Sequence, residues 1–205
     1  MRIIIFGASG KTGLEITKQT LQKGYRTVAF VQNPTAFPLK NKNLEIFQGD
    51  ALNYNQVENA INGCEAVISV LGVKLSSKDK FICSKSSKNI IAAMQKFGIK
   101  RLIVQSAYGV KETKKGIGAK LAWLMLGNIM KDKEIMEDEI EKSGLNWTIV
   151  RPVKLNNGKL TKHYRYDVDL KIRFPYVISR ANVADFIISQ LENPTCIKKK
   201  IIISN

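Results

Sequence analysis

One histidine, His163, and three cysteines, Cys64, Cys83 and Cys196, are all the imidazole and thiol ligands this chain of 205 residues carries. A single imidazole cannot build a multi-histidine metal site, and a hydrolase triad would have to recruit that one residue, so neither is expected. An odd cysteine count without C-x-x-C spacing excludes a disulfide framework and a zinc knuckle, and a reducing, cytoplasmic setting is the expectation. No run approaches the roughly 18 apolar residues of a membrane span. Residues 3–6 are too few for a signal-peptide core and meet a glycine-rich turn at once. Acid is scarce as well: 17 Asp plus Glu stand against 33 Lys plus Arg, for a formal net charge of +16. That excess attracts phosphates, acidic substrates, anionic lipid or nucleic acid over a Debye length or more. The remaining balance, 44% hydrophobic and 24% charged, excludes disorder, collagen and coiled coil, and the length suffices for one sizeable apolar core.

Short β-branched runs alternate with longer segments of helical period from end to end, the signature of βαβ units and a parallel sheet. Strands are expected at residues 2–6, 26–31, 44–47, 66–71, 101–105, 147–150 and 200–204, and helices near 12–23, 55–62, 80–97, 121–142 and 182–192. Gly24, Gly63, Gly98 and Gly144 each follow the last periodic residue of a helix, where a left-handed residue ends it most readily. The expected fold class is α/β, a doubly wound parallel sheet in a single domain over residues 1–205.

Such a sheet binds its ligands outside the carboxyl ends of the strands, so the residues just after each strand carry the function. After the first comes Gly7-Ala8-Ser9-Gly10-Lys11-Thr12-Gly13, the G-x-x-G-x-x-G form of the Rossmann-type dinucleotide fingerprint. Its first glycine permits the tight turn, the second lets backbone approach a pyrophosphate, and the third lets helix and strand pack closely. Gly7, Ser9, Gly10, Lys11, Thr12 and Gly13 are therefore candidate cofactor contacts. Gly10-Lys11-Thr12 looks superficially like a triphosphate P-loop, but that motif needs glycine at position 5, where the chain has Ile5.

At the end of the second strand the fingerprint expects Asp or Glu for a free ribose, or a nearby Arg for a 2′-phosphate. Val31-Gln32-Asn33 stand there instead. Nothing in that triplet repels a 2′-phosphate, and Lys11, Lys40 or Lys42 could supply positive charge, so NADPH is the expected cofactor with NADH left open. Gln32 and Asn33 either meet the ribose or form an ordinary polar turn.

Four further segments extend the pattern: Gly49-Asp50-Ala51; Val70-Leu71-Gly72-Val73; residues 84–94 with Asn89-Ile90-Ile91-Ala92-Ala93-Met94; and Ser143-Gly144-Leu145 leading to Arg151-Pro152 and then Val177-Ile178-Ser179-Arg180. In order and spacing they resemble the atypical short-chain dehydrogenase/reductases, and within that group the biliverdin reductase B or NADPH-flavin reductase family. The resemblance implies that Asp50 and Ala51 lie against the adenine and that Leu71, Gly72 and Val73 pass under the adenosine ribose. It places Ser106, Arg151, Pro152 and Val153 toward the nicotinamide. It further implies hydride transfer to a conjugated, planar acceptor such as a flavin or a bilin.

Departures from the family pattern define the catalytic candidates. Many short-chain reductases use a Tyr-x-x-x-Lys pair, whereas Ile129-Met130-Lys131-Asp132-Lys133 has isoleucine where tyrosine would stand, which argues against alcohol or ketone chemistry. Gln105-Ser106-Ala107-Tyr108-Gly109 leaves Ser106 and Tyr108 where adjacent hydroxyl residues are common, and Lys154 stands where the related reductases carry histidine. In this reading Lys154 stabilises charge on the reduced acceptor or pairs with propionates, Ser106 or solvent delivers a proton, and Tyr108 walls the nicotinamide pocket. Each also has a plain reading: a solvated lysine, a strand-end hydroxyl, a loop aromatic. The acceptor side is expected to come largely from residues 106–130 and 151–182.

Residues 111–126 read in three ways, as a solvated turn before a core helix, a lid over the acceptor, or a basic membrane-surface segment. Basic stretches at 159–173 and 198–200 come without a nucleic-acid motif or an aromatic ladder, so no specific nucleic acid is expected as a partner. The oligomeric state stays open, with a monomer favoured. The resemblance also reaches NmrA-like regulators, which bind dinucleotide without turnover, and a redox sensor is the second functional reading. A nucleotide-sugar epimerase is disfavoured by the missing tyrosine and the short C-terminal portion.

Overall fold

The computed structural model describes residues 1–73, 77, 79–113 and 117–205, with the side chains of residues 117–122, 124 and 125 outside that description. Branched apolar runs form β1 (Arg2–Phe6), β2 (Arg26–Val31), β3 (Leu44–Gln48), β4 (Ala66–Ser69), β5 (Arg101–Gln105), β6 (Asn146–Pro152) and β10 (Lys199–Ser204). Short strands β7 (Lys154–Asn156), β8 (Arg165–Asp167) and β9 (Val177–Ser179) lie between β6 and β10. The helices are α1 (Lys11–Gln22), α2 (Tyr54–Ile61), α3 (Ile82–Lys96), α4 (Ile117–Lys142, kinked at Leu126) and α5 (Arg180–Glu192).

Eight strands make one sheet in the order β3-β2-β1-β4-β5-β6-β10-β8, parallel throughout except for β8, and β7 pairs with β9 in a separate two-stranded sheet. Alternate side chains of the central strands feed two cores. Ile4, Phe6, Val67, Leu102, Val104 and Ile149 pack with α2, α3 and α4 on one face. Ile3, Ile5, Ile68, Ile103 and Val150 pack with α1 and α5 on the other. The strand order reverses between β1 and β4, and that crossing point is where a doubly wound sheet opens a crevice.

The long elements match the sequence expectation to within a few residues. Gly24, Gly63, Gly98 and Gly144 all have positive φ at the helix ends where they were anticipated. β4 stops at Ser69 instead of running on to Leu71: the Val70 N–H still donates to Phe6 O, but β1 ends there and turns away at Gly7, whose φ is +82°. β7, β8 and β9 were not anticipated, since strands of three residues are too short for alternation to register.

Candidate active site

The turn after β1 is fixed by backbone contact. Gly7 sits at φ +82°, and a Cβ there would lie 2.9 Å from the carbonyl of Val70; one on Gly13 would lie 2.1 Å from Gly7 O. Glycine at both places therefore lets β1, α1 and the exit of β4 close on one another. The Gly10 N–H donates to Gly7 O at 3.0 Å, which completes the turn. Side chains cap three other helices: Asn53 Oδ1 accepts from Gln56 N, Ser179 Oγ from Asn182 N, and both Asp132 oxygens from Cys83 N and Ser84 N. Helix α1 starts at Gly10 with no side-chain acceptor, so its first N–H groups are left for an anion, and the helix dipole favours one there.

A cleft of about 350 Å³ opens beside this turn, lined by Gly7, Ser9, Gln32, Asp50, Leu71 and Gly72 among others, with Phe30 and Ile82 supplying apolar walls. Next to it a shallower basin is formed by Gln32, Gln48, Gly49, Asp50 and Gln56. Gln56 Oε1 accepts from Asp50 N at 2.7 Å, and Ala51 O accepts from Asn89 Nδ2 at 3.0 Å, which ties the Asp50 turn to α2 and α3. Of the residues singled out in the sequence, Gly7, Ser9, Gln32, Asp50, Ala51, Leu71 and Gly72 thus meet in one cleft. Thr12 and Gly13 are buried beneath it, and Lys11 is exposed at the start of α1. Asn33 turns aside: its Oδ1 accepts from Thr35 Oγ1 at 2.7 Å in the short turn that follows. Val73 packs against the core on the α3 face, and Lys40 and Lys42 are absent from the walls of both hollows.

At the ends of β5 and β6 lies a second polar cluster. Ser106 N donates to Val150 O at 2.7 Å and Tyr108 N to Pro152 O at 3.0 Å, so Ser106, Tyr108 and Pro152 are brought side by side. Ser106 is buried, and its Oγ and the neighbouring Gln105 Oε1 have no hydrogen-bond partner among the described residues. Buried polar atoms without a partner are costly, and Ser86 Oγ, Arg101 Nε and Ser204 Oγ share that state; it is the position after β5, beside the Pro152 backbone, that makes Ser106 a candidate for a ligand's polar group. Lys133, which was not singled out from the sequence, reaches this spot from α4, with Nζ 3.4 Å from Gln105 O. The signal was present, because Lys133 is the lysine of the segment whose tyrosine is missing. Tyr108 is partly buried against the α1–α5 core, Val153 is buried with its N–H on Ile203 O, and Lys154 is exposed at the start of β7.

The side chain of Arg151 is engaged away from the cleft. Its side chain is 1% exposed and bonded through Nε to Glu137 Oε1 at 3.0 Å and through Nη1 to Glu112 Oε1 at 2.6 Å. Burial works against its charge, yet the two carboxylates more than offset this and hold its pKa above the ordinary value. Burial likewise opposes ionisation of Glu112, but the hydrogen bonds and charge of Arg151, with Lys200 nearby, bring its pKa down to about 2. The Arg151 guanidinium is thus committed to a structural ion-pair network, leaving only its backbone free to border the site. Sequence alone could not separate this role, because both carboxylates come from distant elements.

The glycine cradle, the uncapped α1 terminus and the unpaired Ser106 hydroxyl fit a dinucleotide laid from the Asp50 turn toward Pro152. No group of three or more His, Cys, Asp or Glu residues able to hold a metal occurs among the described residues, and no described helix is long and apolar enough to cross a membrane. The reading of 111–126 as a lid falls partly outside the described residues.

Comparison with known proteins agrees with this geometry. A family model described as NAD(P)H-binding matches residues 7–194. An uncharacterized chloroplastic protein of Arabidopsis thaliana is 29% identical over 173 residues, which cover 78% of this chain and 61% of that protein, so the chain spans less than two thirds of that relative. Among solved structures, the anaerobilin reductase ChuY of Escherichia coli O157:H7 superposes with a TM-score of 0.84 at 23% identity, over 99% of this chain and 96% of ChuY. A short-chain dehydrogenase/reductase of Veillonella parvula in complex with NADP gives a TM-score of 0.84 at 18% identity, over 100% of this chain and 94% of that one.

Proposed function

We propose that this chain, which belongs to the NAD(P)H-binding family, is a reductase that uses NADPH to reduce a small planar acceptor such as a flavin or a linear tetrapyrrole. The observation that carries the catalytic part is the buried, unpaired Ser106 Oγ just after β5, next in the chain to Gln105, whose backbone O accepts from Lys133 Nζ. The likeness to ChuY, described as an anaerobilin reductase, supports the tetrapyrrole class.

Gly7, Gly10 and Gly13 with the α1 terminus would hold the pyrophosphate, Asp50 and the Gln32–Gln56 amides the adenosine end, and Ser106 and Lys133 the nicotinamide half. The bound dinucleotide supplies the hydride. Ser106 donates a hydrogen bond or a proton to the acceptor atom that gains charge, Lys133 and Lys154 place positive charge beside it, and Tyr108 with Val153 excludes water from that side. Among the described residues around the adenosine ribose the lining is of amides and one carboxylate, with neither a cationic clamp for a 2′-phosphate nor an acid at the end of β2. NADH should therefore compete within about tenfold, a discrimination of less than about 1.4 kcal/mol.

The test compares steady-state reduction of FMN, riboflavin and biliverdin by the wild type and by Ser106→Ala and Lys133→Met. Loss of kcat larger than the loss of dinucleotide affinity supports the reading. Saturable dinucleotide binding without oxidation by any acceptor replaces it with the redox-sensor reading.

A further inference from the structure

A hollow of about 250 Å³ lies outside the cleft, on the α1–α5 face of the sheet, and the proposed reaction does not use it. It is lined by Lys11, Leu14, Glu15 and Lys18 of α1, by Asn157 and Gly158 after β7, and by Arg180 and Ala181 at the start of α5. Three of its charged side chains are cations and one is a carboxylate. Glu15 lies 3.5 Å from Lys18, and one carboxylate against three cations leaves the hollow with a surplus of positive charge.

The frame is fixed before any ligand arrives. Gln19 Nε2 donates to Ala181 O at 3.0 Å and locks α1 onto α5. Asn182 Oδ1 accepts from Thr161 N at 2.9 Å and Lys162 N at 3.2 Å, Ser179 Oγ donates to Lys159 O, and Gly158 N donates to Asn156 Oδ1. Arg180 Nη1 donates to Asn157 Oδ1 at 2.7 Å, which aims the guanidinium along the wall and leaves its other N–H groups for an acceptor. α5, of 13 residues, begins here at Arg180, so its dipole adds to the cationic side chains.

Position gives the class of ligand. β7 begins two residues beyond Pro152, and Asn157 directly follows its last residue. From Val153 to Asn157 is four residues, roughly 13 Å of extended chain, the reach of a several-bond arm on an acceptor seated at Val153. We propose that this hollow is an anion subsite that receives the phosphate or carboxylate arm of the planar acceptor, with Arg180 and Lys18 as its ligands and Lys11 shared with the dinucleotide end. The assignment of the arm to an acceptor rests on the reductase reading; the anion site itself does not.

The full chain, saturated with NADP⁺ so that the pyrophosphate site is filled, is titrated with inorganic phosphate and followed by amide NMR. Saturable shifts of Gly158, Ala181 and their neighbours, abolished in Arg180→Gln/Lys18→Gln, are expected; unsaturable shifts, or shifts that persist in the double variant, overturn the site whether or not the protein is a reductase. In the same NADP⁺ complex, FMN should bind about tenfold or more tightly than riboflavin, or biliverdin than its dimethyl ester, and the double variant should erase the difference. The flavin pair identifies a phosphate arm and the bilin pair a carboxylate arm. Parity within both pairs overturns the assignment to the acceptor, and unchanged NADP⁺ affinity in the variant confirms that it is folded.

Discussion

The two flanks of the cleft are held in place by different physics. Around β1, α1 and β4 the site is built from backbone: Gly7 presses on Val70, Gly13 on Gly7 O, and side chains take little part. Around β5, β6 and α4 it is built from charge. One run of α4 presents a rail of carboxylates that holds the start of α3, Lys111 and Arg151. Asp132 caps α3, Glu134 accepts from Lys111 N, Glu137 grips Arg151, and Asp138 and Glu141 pair with Lys111 Nζ at 2.7 and 2.6 Å. Backbone packing gives a cradle that tolerates no added atom, whereas an ion-pair network tolerates paired replacement but not the loss of one partner. Pyrophosphate geometry is common to all dinucleotides, so a rigid cradle suits it; the acceptor side carries the residues that vary the chemistry.

The comparison can be broken at either flank. Arg151→Met should have the largest effect, about 3–5 kcal/mol of stability, because it strands the fully buried Glu137; thermal denaturation should fall by roughly 6–20 °C. Converting Arg151, Glu137 and Glu112 together to apolar residues of similar volume should restore much of that loss, and failure to do so would show that this flank too depends on one irreplaceable shape. Gly13→Ala should cost about 2–3 kcal/mol through overpacking against Gly7 O and weaken dinucleotide binding about 100-fold, measured by calorimetry. Ser106→Ala sharpens the contrast in the other direction. It should lower kcat by about 10–100-fold while leaving the melting temperature unchanged or slightly raised, since it deletes a buried hydroxyl that lacks a partner.

Smaller effects follow from the ionisation states. The Glu112 pKa is held at about 2 against an ordinary 4.5, so between these values the unfolded chain binds more protons than the folded one. Its contribution is therefore present above about pH 5 and is lost as the pH falls toward 2; because half of the side chain is exposed, it amounts to about 1 kcal/mol at most. Glu112→Gln should flatten that part of a stability–pH curve. Cys64 and Cys83 are buried, with burial raising both thiols to about 11, so thiol reagents should label them in the folded protein only at the rate of unfolding.

This division also governs how much could be read from the sequence. The backbone-built flank was legible: Gly7, Gly10 and Gly13 have one spacing and one purpose, and the strands and helices around them are long enough for periodicity to show. The charge-built flank was not. Arg151 looked like a site residue because the Arg151-Pro152 pair resembles the family's pattern, and only the packing of α4 against β6 reveals that Glu137 faces it. Lys133 was overlooked for the same reason, since its neighbour in space, Gln105, is 28 residues away. Between β6 and α5 the chain is held by side-chain hydrogen bonds such as Asn182 to Thr161, and three-residue strands without a repeating pattern give sequence reasoning nothing to count.

The most direct test of the account is to mix the full chain with NADPH and biliverdin or FMN and follow the near-ultraviolet absorbance of the reduced nicotinamide. The account predicts loss of that absorbance with matching reduction of the acceptor, shifted to about 100-fold higher NADPH by Gly13→Ala and slowed by Ser106→Ala. Unchanged absorbance with every acceptor, in protein that binds NADPH saturably, would contradict it and leave a dinucleotide-binding domain that senses without turning over.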